Sequence, residues 1–350
     1  MHSPLSSPAA SSYRMPAEWE PHAATWLIWP HDERHWPGKI DAVYPVWARM
    51  VKELEAGEDV HILIHDDATQ AVAEREMTKA GVVGKRVHLH RAVNNFSWAR
   101  DEGPIFLRNP ATGDVIMTHW QHNGWGGQWE HDLDDHIPEK IEEITGIRRI
   151  VAPMVLEGGS IDVNGKGTLM TTENCLLNTN RNPQLGKEQI ERTLAEHLGI
   201  TKILWLGEGI VGDDTSGHID DLARFVSERT VVTVIEENPD DENYAPLQEN
   251  LRRLQMMTDQ DDQPLTIVTL PLPKPLYYND VRLPATYANF YIGNAAVLLP
   301  VFDDPHDALA IDTLQKAFPT RRIAAIDARD LVWGFGAFHC VTQQEPKKIQ

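Results

Sequence analysis

Helical and strand-like segments alternate along almost the whole chain, and this pattern constrains the fold more than any other feature. Helical periodicity covers residues 44–56, 186–198, 245–257 and 306–318. Apolar and β-branched runs predict strands at residues 60–64, 203–206, 231–235, 265–270 and 322–326. No long linker interrupts the alternation, so it predicts one α/β domain, which we assign to residues 13–350.

The first twelve residues differ from the rest of the chain. They are rich in Ser, Pro and Ala and lack both a basic start and an apolar run, so residues 1–12 are predicted to be a disordered lead-in. No apolar run approaches the ~18 residues that a membrane span needs. Two cysteines in 350 residues make no disulfide framework. We therefore expect a cytoplasmic protein with no membrane partner.

The chain is strongly acidic, with 32 Lys and Arg against 52 Asp and Glu and a formal net charge of −20. Nucleic acid needs a basic face that this composition does not supply, so we expect no nucleic-acid partner. An acidic field raises the local concentration of cationic ligands, although the same acidity also keeps a protein soluble. The charge therefore leaves a small cationic ligand open, and it does not decide whether the chain forms a homo-oligomer.

Two cysteines are candidates for a nucleophile. Cys175 lies between apolar segments, the usual setting of a buried and inert thiol, and its replacement by alanine is expected to be nearly neutral. Cys340 follows Gly334 and Gly336 and precedes polar residues, and glycines let a backbone approach a ligand closely. The local sequence favours Cys340, although a buried inert role remains open for this residue as well.

A thiolate nucleophile needs a base, and His339 is the neighbour of Cys340 in the sequence. If this segment is a strand, adjacent side chains point to opposite faces, so His339 faces away and the base comes from elsewhere. His218 follows a glycine-rich acidic loop and shares one face of an expected strand with Asp220. This pair is either an acid–base unit or an ordinary surface pair.

Two further carboxylates stand in settings that suggest burial. Asp101 has Trp98 three residues before it and a Gly-Pro break after it, while Glu157 ends an apolar run before two glycines. Buried charges need partners, and the alternative for each carboxylate is a position at the end of a helix or strand, exposed to solvent. Trp125 lies in a Gly-Trp-Gly-Gly run that makes a tight turn or lines a pocket.

These residue types fit the chemistry of a guanidinium group. The group is planar, carries N–H donors in a fixed fork and stays protonated, and its desolvation is costly unless carboxylates pair with it. A thiolate can attack the central carbon while a histidine protonates the departing ammonia and later activates water. A glutamate beside the histidine orients and charges it. The pattern therefore favours the hydrolysis of a cationic guanidine.

Six segments carry a resemblance to a known family: MPAEWEPH (15–22), WARDEGP (98–104), LEGG (156–159), GHID (217–220), YANFYI (287–292) and HCVTQQ (339–344). In this order they resemble agmatine deiminases, which belong with bacterial-type peptidylarginine deiminases in the guanidine-modifying superfamily. The resemblance runs from about Tyr13 to Pro346. It implies a fivefold α/β propeller (pentein) of ββαβ modules. It also implies deimination of agmatine to N-carbamoylputrescine and ammonia, on the route to putrescine, through a covalent cysteine thiouronium intermediate.

The resemblance assigns roles by position. Cys340 is implied to be the nucleophile, His218 the acid and base, and Glu157 the partner of the histidine. No cofactor and no metal are implied. The implied substrate-binding residues are Asp101, Asp220, Trp98 and Trp125. One functional residue occurs roughly every 60 positions or at a multiple of that spacing, which is consistent with a quasi-repeating domain.

The chain departs from the family pattern at three places around the expected pocket. It has GFGAF (334–338) where three glycines and Asn-Ile are usual, and its acidic loop before His218 looks one residue shorter. Ala99 and Glu102 stand where methionine and threonine are common. These changes leave the far end of the substrate open, so peptidylarginine or another guanidine remains an alternative to agmatine.

Other protein classes fit these residues less well. His31 and His35 are four positions apart but do not form His-Glu-x-x-His, and the glycine-rich runs lack phosphate-binding or dinucleotide-binding spacing. A cysteine peptidase or amidase would leave the paired aspartates unexplained. A non-catalytic binding protein on the same fold would more readily have lost the thiol, the imidazole or one of the three carboxylates to which roles are assigned above.

Overall fold

The computed structural model describes residues 7–349, and it contains strands throughout that range. In chain order they are β1 His22–Ile28, β2 Asp59–Ile64, β3 Val87–Arg91, β4 Ile105–Arg108, β5 Val115–Gln121, β6 Arg149–Val155, β7 Asp162–Val163, β8 Thr168–Thr172, β9 Lys202–Leu206, β10 Ala223–Phe225, β11 Thr230–Ile235, β12 Thr266–Pro271, β13 Tyr277–Tyr278, β14 Val281–Arg282, β15 Tyr291–Ile292, β16 Ala296–Val301, β17 Arg322–Asp327 and β18 Gln343–Pro346.

Helices of two kinds join these strands: long amphipathic helices and single helical turns. In chain order they are α1 Ile40–Leu54, α2 Asp67–Ala80, α3 Ala99–Glu102, α4 Gly124–Gly127, α5 Ile137–Thr145, α6 Glu173–Leu176, α7 Lys187–Leu198, α8 Tyr244–Met256 and α9 Asp307–Ala317. The four helices and five strands predicted from periodicity are confirmed, with shifts of a few residues at their ends.

Five sheets repeat one connection. In β4-β5-β6, β7-β8-β9, β10-β11-β12 and β15-β16-β17, the first two strands are antiparallel and the last two are parallel. A helix crosses over between each parallel pair: α5, α7, α8 or α9. The fifth sheet, β18-β1-β2-β3, pairs the C-terminal strand antiparallel with β1, which is parallel to β2. The expected α/β fold of ββαβ modules is confirmed.

Local sequence signals explain why these elements form where they do. Helix α7 begins after Gly186, whose N–H donates to the Gln189 side chain, and it ends at Gly199 in a left-handed conformation with φ 70°. Asn164 and Gly165 lie in the turn of a hairpin, because β7 and β8 pair antiparallel on either side of them. The Asn164 side chain accepts the N–H of Lys166, which stabilises the turn.

Two expectations about local structure were wrong. The residues after His218 form a 3-10 turn, Ile219–Asp221, instead of a strand. Cys340 also lies in a turn before β18 and not in a strand, so the alternation of faces between neighbours does not apply to His339. Both segments carry buried side chains that hydrogen-bond to other modules, and these tertiary contacts outweigh the local strand preference.

The predicted lead-in over residues 1–12 lies partly outside the described residues. Within the described part, Ala9–Ser11 form a short 3-10 turn, and the carbonyl of Ser11 accepts a hydrogen bond from the Asn109 side chain. The boundary of the catalytic domain at residue 13 stays a prediction. Between residues 7 and 349, no helix is long and apolar enough to cross a membrane.

Candidate active site

The connections between modules converge on one buried site, and each contributes a polar side chain. Asp101 lies between β3 and β4, Glu157 between β6 and β7, and His218 between β9 and β10. Asn289 precedes β15, and Cys340 precedes β18. All five side chains are buried. The repeated architecture therefore delivers one functional group from each module, which is why the groups recur at similar sequence intervals.

Gly159 lies where three of the predicted groups meet. A Cβ at this position would lie 2.6 Å from His218 Nδ1, 2.9 Å from Asp101 Oδ1 and 3.0 Å from Asp220 Oδ2. The Gly159 N–H also donates to Asp101 Oδ1 at 2.9 Å. Only glycine leaves room for the imidazole and both carboxylates to approach the backbone so closely.

Cys340 is held by Asn289 and Asp220. The Asn289 amide donates to Cys340 Sγ at 3.0 Å, and the Cys340 N–H donates to Asn289 Oδ1 at 3.3 Å. The thiol itself donates to Asp220 Oδ2 at 3.5 Å. Burial raises the pKa of the Cys340 thiol well above its ordinary value, and the charges of Asp220 and Asp221 raise it further. In the free protein this group is therefore a neutral thiol.

His218 stands between two carboxylates. Its Nδ1 lies 3.9 Å from Asp101 Oδ2, and its Nε2 lies 3.9 Å from Glu157 Oε2. Burial alone lowers the pKa of His218, but Asp101, Cys175 and Glu157 outweigh it and hold that pKa well above its ordinary value. The ring is therefore a buried imidazolium that can give up a proton to a leaving group.

Glu157 stays ionised beside this histidine. Burial raises the pKa of Glu157, but the charge of Arg181 reverses that effect and lowers the pKa below its ordinary value. Arg181 Nε donates to Glu157 Oε1 at 2.8 Å, and both side chains are fully buried. The second carboxylate oxygen, Oε2, faces His218 without a hydrogen-bond partner in the described structure. Arg181 thus leaves one oxygen of Glu157 free for the histidine.

Asp101 lies at the end of a network of tryptophans. Trp125 donates its indole N–H to Asp101 Oδ2 at 2.8 Å, and its backbone is left-handed with φ 51°. Trp125 therefore both makes the tight turn and lines the pocket. Trp98 donates its indole N–H to His35 Nδ1 at 2.5 Å. Burial raises the pKa of Asp101, and the nearby His218 offsets part of that increase.

Asp220 contacts both Cys340 and His339. His339 Nδ1 lies 2.7 Å from Asp220 Oδ2, and His339 Nε2 lies 2.8 Å from Glu18 Oε2. The expectation that His339 points away from the site of Cys340 was wrong, because both residues contact Asp220. Both ring nitrogens of His339 are nevertheless engaged by carboxylates. Burial raises the pKa of Asp220, but the hydrogen bond with His339 outweighs it and lowers that pKa.

A small pocket opens above Cys340. Within the described residues its lining contains no Lys or Arg, and burial lowers the pKa of His35 to about 3, so this ring is neutral. Burial and the adjacent Asp213 raise the pKa of Asp214 to about 7. The pocket therefore suits a small cation. The lining residues are His35, Trp98, Asp101, Trp125, Trp129, Asp214, Thr215, Gly334, Phe335, Gly336 and Cys340.

The unusual segment 334–338 forms one wall of this pocket. Phe335 adopts a left-handed backbone with φ 69°, a conformation that is uncommon for a bulky residue. A Cβ on Gly336 would lie 2.6 Å from the Trp98 ring and 3.2 Å from Cys340 Sγ. Gly336 is therefore required by close packing against Trp98 and Cys340, whereas Phe335 lines the pocket.

Behind Asp101 lies a pair of buried carboxyl groups, Glu102 and Asp134. Glu102 Oε1 accepts the N–H of Trp98 at 3.0 Å, and Asp134 Oδ1 accepts the N–H of Asn95 at 2.6 Å. The other oxygen of each group is buried without a partner in the described structure. Burial and mutual repulsion raise the pKa of Glu102 well above its ordinary value, and burial raises that of Asp134 to about 7. Such a pair is most stable when it carries a proton.

The His31–His35 pair does not form a metal site. His31 stacks on His65 with ring centroids 4.0 Å apart, whereas His35 stacks on Phe96 at 3.9 Å. Two groups in the described part of the chain bring three candidate ligand atoms together: Glu157 with Cys175 and His218, and Asp220 with Asp221 and Cys340. Both belong to the site above, and Arg181 already supplies the positive charge beside Glu157.

Several residues of the site carried no sequence signal of their own. Asn289 lies within the YANFYI segment, so the resemblance marked its position but not its contact with Cys340. Arg181 and Asp214 stand in loops whose partners are far away in the chain. Cys175 is buried as expected, but it lies beside His218 and not only among apolar residues. Only tertiary structure reveals these contacts.

Repeated ββαβ modules around a buried thiol, imidazole and set of carboxylates are typical of guanidine-modifying hydrolases. The sequence profile of the Porphyromonas-type peptidyl-arginine deiminase family matches residues 14–346 of this chain. The chain therefore belongs to this family, and the resemblance found in its motifs is confirmed.

Individual relatives extend over nearly the whole chain. An agmatine deiminase of Ectopseudomonas mendocina is 35% identical, with 97% of each chain covered. The structure of an agmatine deiminase of Enterococcus faecalis is similar with a TM-score of 0.92 and 32% identity, covering 99% of this chain and 100% of that one. A putative arginine deiminase from Porphyromonas gingivalis has a TM-score of 0.86 and 37% identity, covering 95% and 98%.

Proposed function

We propose that this protein hydrolyses agmatine to N-carbamoylputrescine and ammonia, a step towards putrescine. The observation that carries the proposal is the pocket itself. Its base holds the thiol of Cys340 and the carboxylate of Asp101, Asp214 stands in the same lining, and no basic side chain of the described residues lines it. Agmatine carries a positive charge at both ends, so the acidic lining of this pocket is complementary to its charge.

In the first half of the reaction, Asp101 and Asp220 bind the guanidinium. Its positive charge lowers the pKa of the Cys340 thiol, which releases its proton to solvent, and the resulting thiolate attacks the central carbon to form a C–S bond. His218, as imidazolium, donates its proton to one nitrogen. The C–N bond then breaks and ammonia leaves, which gives a thiouronium adduct and a neutral His218.

In the second half, water attacks the same carbon. The neutral His218 takes a proton from this water, and Glu157 stabilises the imidazolium that forms. The C–S bond then breaks, Cys340 departs as thiolate, and the proton that leaves the carbamoyl product returns to Cys340 and restores the neutral thiol. The balance is one agmatine and one water consumed, and one N-carbamoylputrescine and one ammonia formed. No redox step and no external cofactor are needed.

The acidic lining favours a free amine over a carboxylate at the far end of the substrate. Asp214 has a pKa raised to about 7, and an ammonium group beside it would stabilise the ionised form. The carboxylate of free arginine would instead be desolvated without a cationic partner in the described lining, which is costly. The same argument disfavours arginine more strongly than an arginyl peptide, whose backbone is neutral.

Ammonia release from agmatine, free arginine and an arginyl peptide tests the proposal, with wild type and Cys340→Ala compared. We expect release from agmatine with wild type only. The alanine variant should still show an agmatine-dependent rise in melting temperature, because both aspartates remain. Release from arginine or the peptide in preference to agmatine would overturn the substrate, and release that persists in Cys340→Ala would overturn the nucleophile.

A further inference from the structure

Cys175 has a position that the mechanism does not use. Its side chain is fully buried in the short turn α6. The sulfur, a ring nitrogen of His218 and a carboxylate oxygen of Glu157 all lie within 4.8 Å of one another. A thiol that only fills space in a core would have apolar neighbours on every side. This one faces His218, which carries the proton in the reaction, and Glu157, which stabilises the charged form of His218.

The backbone ties Cys175 to His218. Thr172 caps the turn by accepting the N–H of Cys175 at 3.1 Å, and the same hydroxyl donates to the carbonyl of Gly217 at 2.6 Å. Gly217 directly precedes His218 and has a left-handed backbone with φ 92°. One hydroxyl therefore connects the segment that carries the thiol with the segment that carries the imidazole.

The ring of His218 has room for such a contact. Its two nitrogens each stand 3.9 Å from the nearest carboxylate partner, Asp101 on one side and Glu157 on the other. Neither distance is a hydrogen bond between nitrogen and oxygen. A sulfur atom is larger and more polarisable than oxygen, so it can contact the ring at a longer distance. Neither ring nitrogen of His218 has a hydrogen-bond partner in the described structure, and burial raises the pKa of Cys175, so the sulfur beside the ring belongs to a neutral thiol.

We propose that Cys175 is a positioning residue for His218, whose sulfur accepts an N–H of the imidazolium and holds the ring at the angle that directs its other nitrogen towards the substrate. The inference rests on the proposed deimination, in which His218 is the acid and then the base. Cys175 does not touch the substrate, since the pocket lining does not include it. Its contribution is to orient the ring and favour its charged form.

Other charged groups also act on His218, and the test must separate them from the thiol. The titratable groups that face it from the surrounding connections are Asp101, Glu157, Asp214, Asp220, Asp221 and Cys175. Replacing Cys175 leaves all the carboxylates in place. A change in the titration of His218 in that variant therefore reports the sulfur contact.

Three variants make the experiment specific: Cys175→Ala, Cys175→Ser and Leu176→Val. Leu176 is the next residue of the same turn and lies in the same core cluster, so its variant controls for a small loss of buried volume. The sequence alone predicts a nearly neutral Cys175→Ala, but with the sulfur beside His218 we instead expect this variant to lower kcat about 3- to 10-fold with KM for agmatine nearly unchanged. The pKa on the alkaline side of its kcat–pH profile should fall by roughly 0.5–1 unit, which corresponds to the free energy of one lost hydrogen bond.

Serine keeps a hydrogen-bond acceptor at this position, so Cys175→Ser should lose less kcat than Cys175→Ala and show a smaller fall in the alkaline pKa. Leu176→Val should change neither. An unchanged pH profile in Cys175→Ala, or an equal shift in Leu176→Val, would overturn the positioning role and leave a packing role only.

A second readout does not depend on turnover. The pKa of His218 can be followed in the free protein by NMR with labelled histidine, with the resonance assigned by its loss in His218→Gln. A downward shift in Cys175→Ala supports the contact even if agmatine proves not to be the substrate. An unshifted His218 would refute it even if agmatine is hydrolysed. Failure of the proposed function and failure of this inference are thus distinguishable.

Discussion

Replacing Asp220 with asparagine should change two properties of Cys340 in opposite directions. Asp220 is the charged group that most raises the pKa of the Cys340 thiol, after burial itself. The same carboxylate is proposed to bind the guanidinium. Asp220→Asn should therefore make the thiol of the free protein more reactive towards an alkylating reagent, and should make the protein a poorer deiminase.

The size of both effects follows from the geometry. Asp220 Oδ2 lies 3.5 Å from Cys340 Sγ, and at an effective dielectric constant of about 20 a unit charge at that distance is worth about 5 kcal/mol, or about 3.5 pKa units. His339 offsets part of the charge, so a fall of ~1.5–3 units is reasonable. Because a thiolate becomes a weaker nucleophile as its pKa falls, the alkylation rate should rise about 7- to 45-fold.

Turnover should fall at the same time. Loss of one charge-assisted pair with the substrate is worth ~2–4 kcal/mol, which lowers kcat/KM by about 30- to 900-fold. The assay is iodoacetamide labelling of the peptide that contains Cys340, followed by mass spectrometry at pH 7.5, beside ammonia release from agmatine. Asp312→Asn is the matched control, since it removes an exposed carboxylate on α9 that pairs with Lys316.

The control should leave both rates unchanged. Slower or unchanged labelling in Asp220→Asn, with a melting temperature close to wild type, would refute the reasoning. It would mean that the carboxylate does not hold the thiol in its neutral form. Full activity in the same variant would separately show that Asp220 does not bind the guanidinium.

Two further predictions follow from raised carboxyl pKa values. Asp214→Asn should raise KM for agmatine about 10-fold at pH 8 and less at pH 6, because the pKa of Asp214 in the wild type is about 7 and its ionised form binds the amine. Steady-state kinetics at the two pH values check this. An equal effect on KM for a guanidine without an amine would contradict it. The pKa of Glu102 is about 4.3 in the unfolded chain and well above that in the folded protein, so wild-type stability should fall as the pH rises between these two values. Glu102→Gln should therefore increase the melting temperature by about 2–4 °C at pH 8 and little at pH 5. The exposed Glu143→Gln should not change it, and equal shifts at both pH values would count against the raised pKa.

Periodicity in the sequence was enough to locate the regular elements. The apolar positions of α7 recur at Ile190, Leu194 and Leu198, and all three are buried. A helix shows its buried face in the spacing of its own residues, so its prediction does not need the rest of the chain. The hairpin around Asn164 was predictable for the same reason, because its turn residues act over a few positions.

Reasoning from local patterns failed where contacts with residues far away in the chain determine the backbone conformation. The segment after His218 and the segment around His339 were expected to be strands, and both are turns. His339 binds Asp220 and Glu18, which lie 119 and 321 positions away in the chain. No local pattern encodes a partner at that separation. The face on which His339 lies was therefore not predictable from its neighbours.

The sequence by itself determined the chemistry that the chain can carry out. Its motifs named the thiol, the imidazole and the carboxylates, and their order indicated the family to which the chain belongs. These are properties of residue types and of short segments, so they can be recognised without knowledge of the fold.

Only the tertiary structure decided how these groups act on one another. It placed Arg181 against Glu157, Asp214 in the pocket and Cys175 beside His218. The physical reason is that burial and neighbouring charges set whether a group holds its proton, and both depend on distances in space between residues that are far apart in the chain. The sequence identifies the thiol of Cys340, but it is kept neutral by burial and by a carboxylate, and only the fold supplies both.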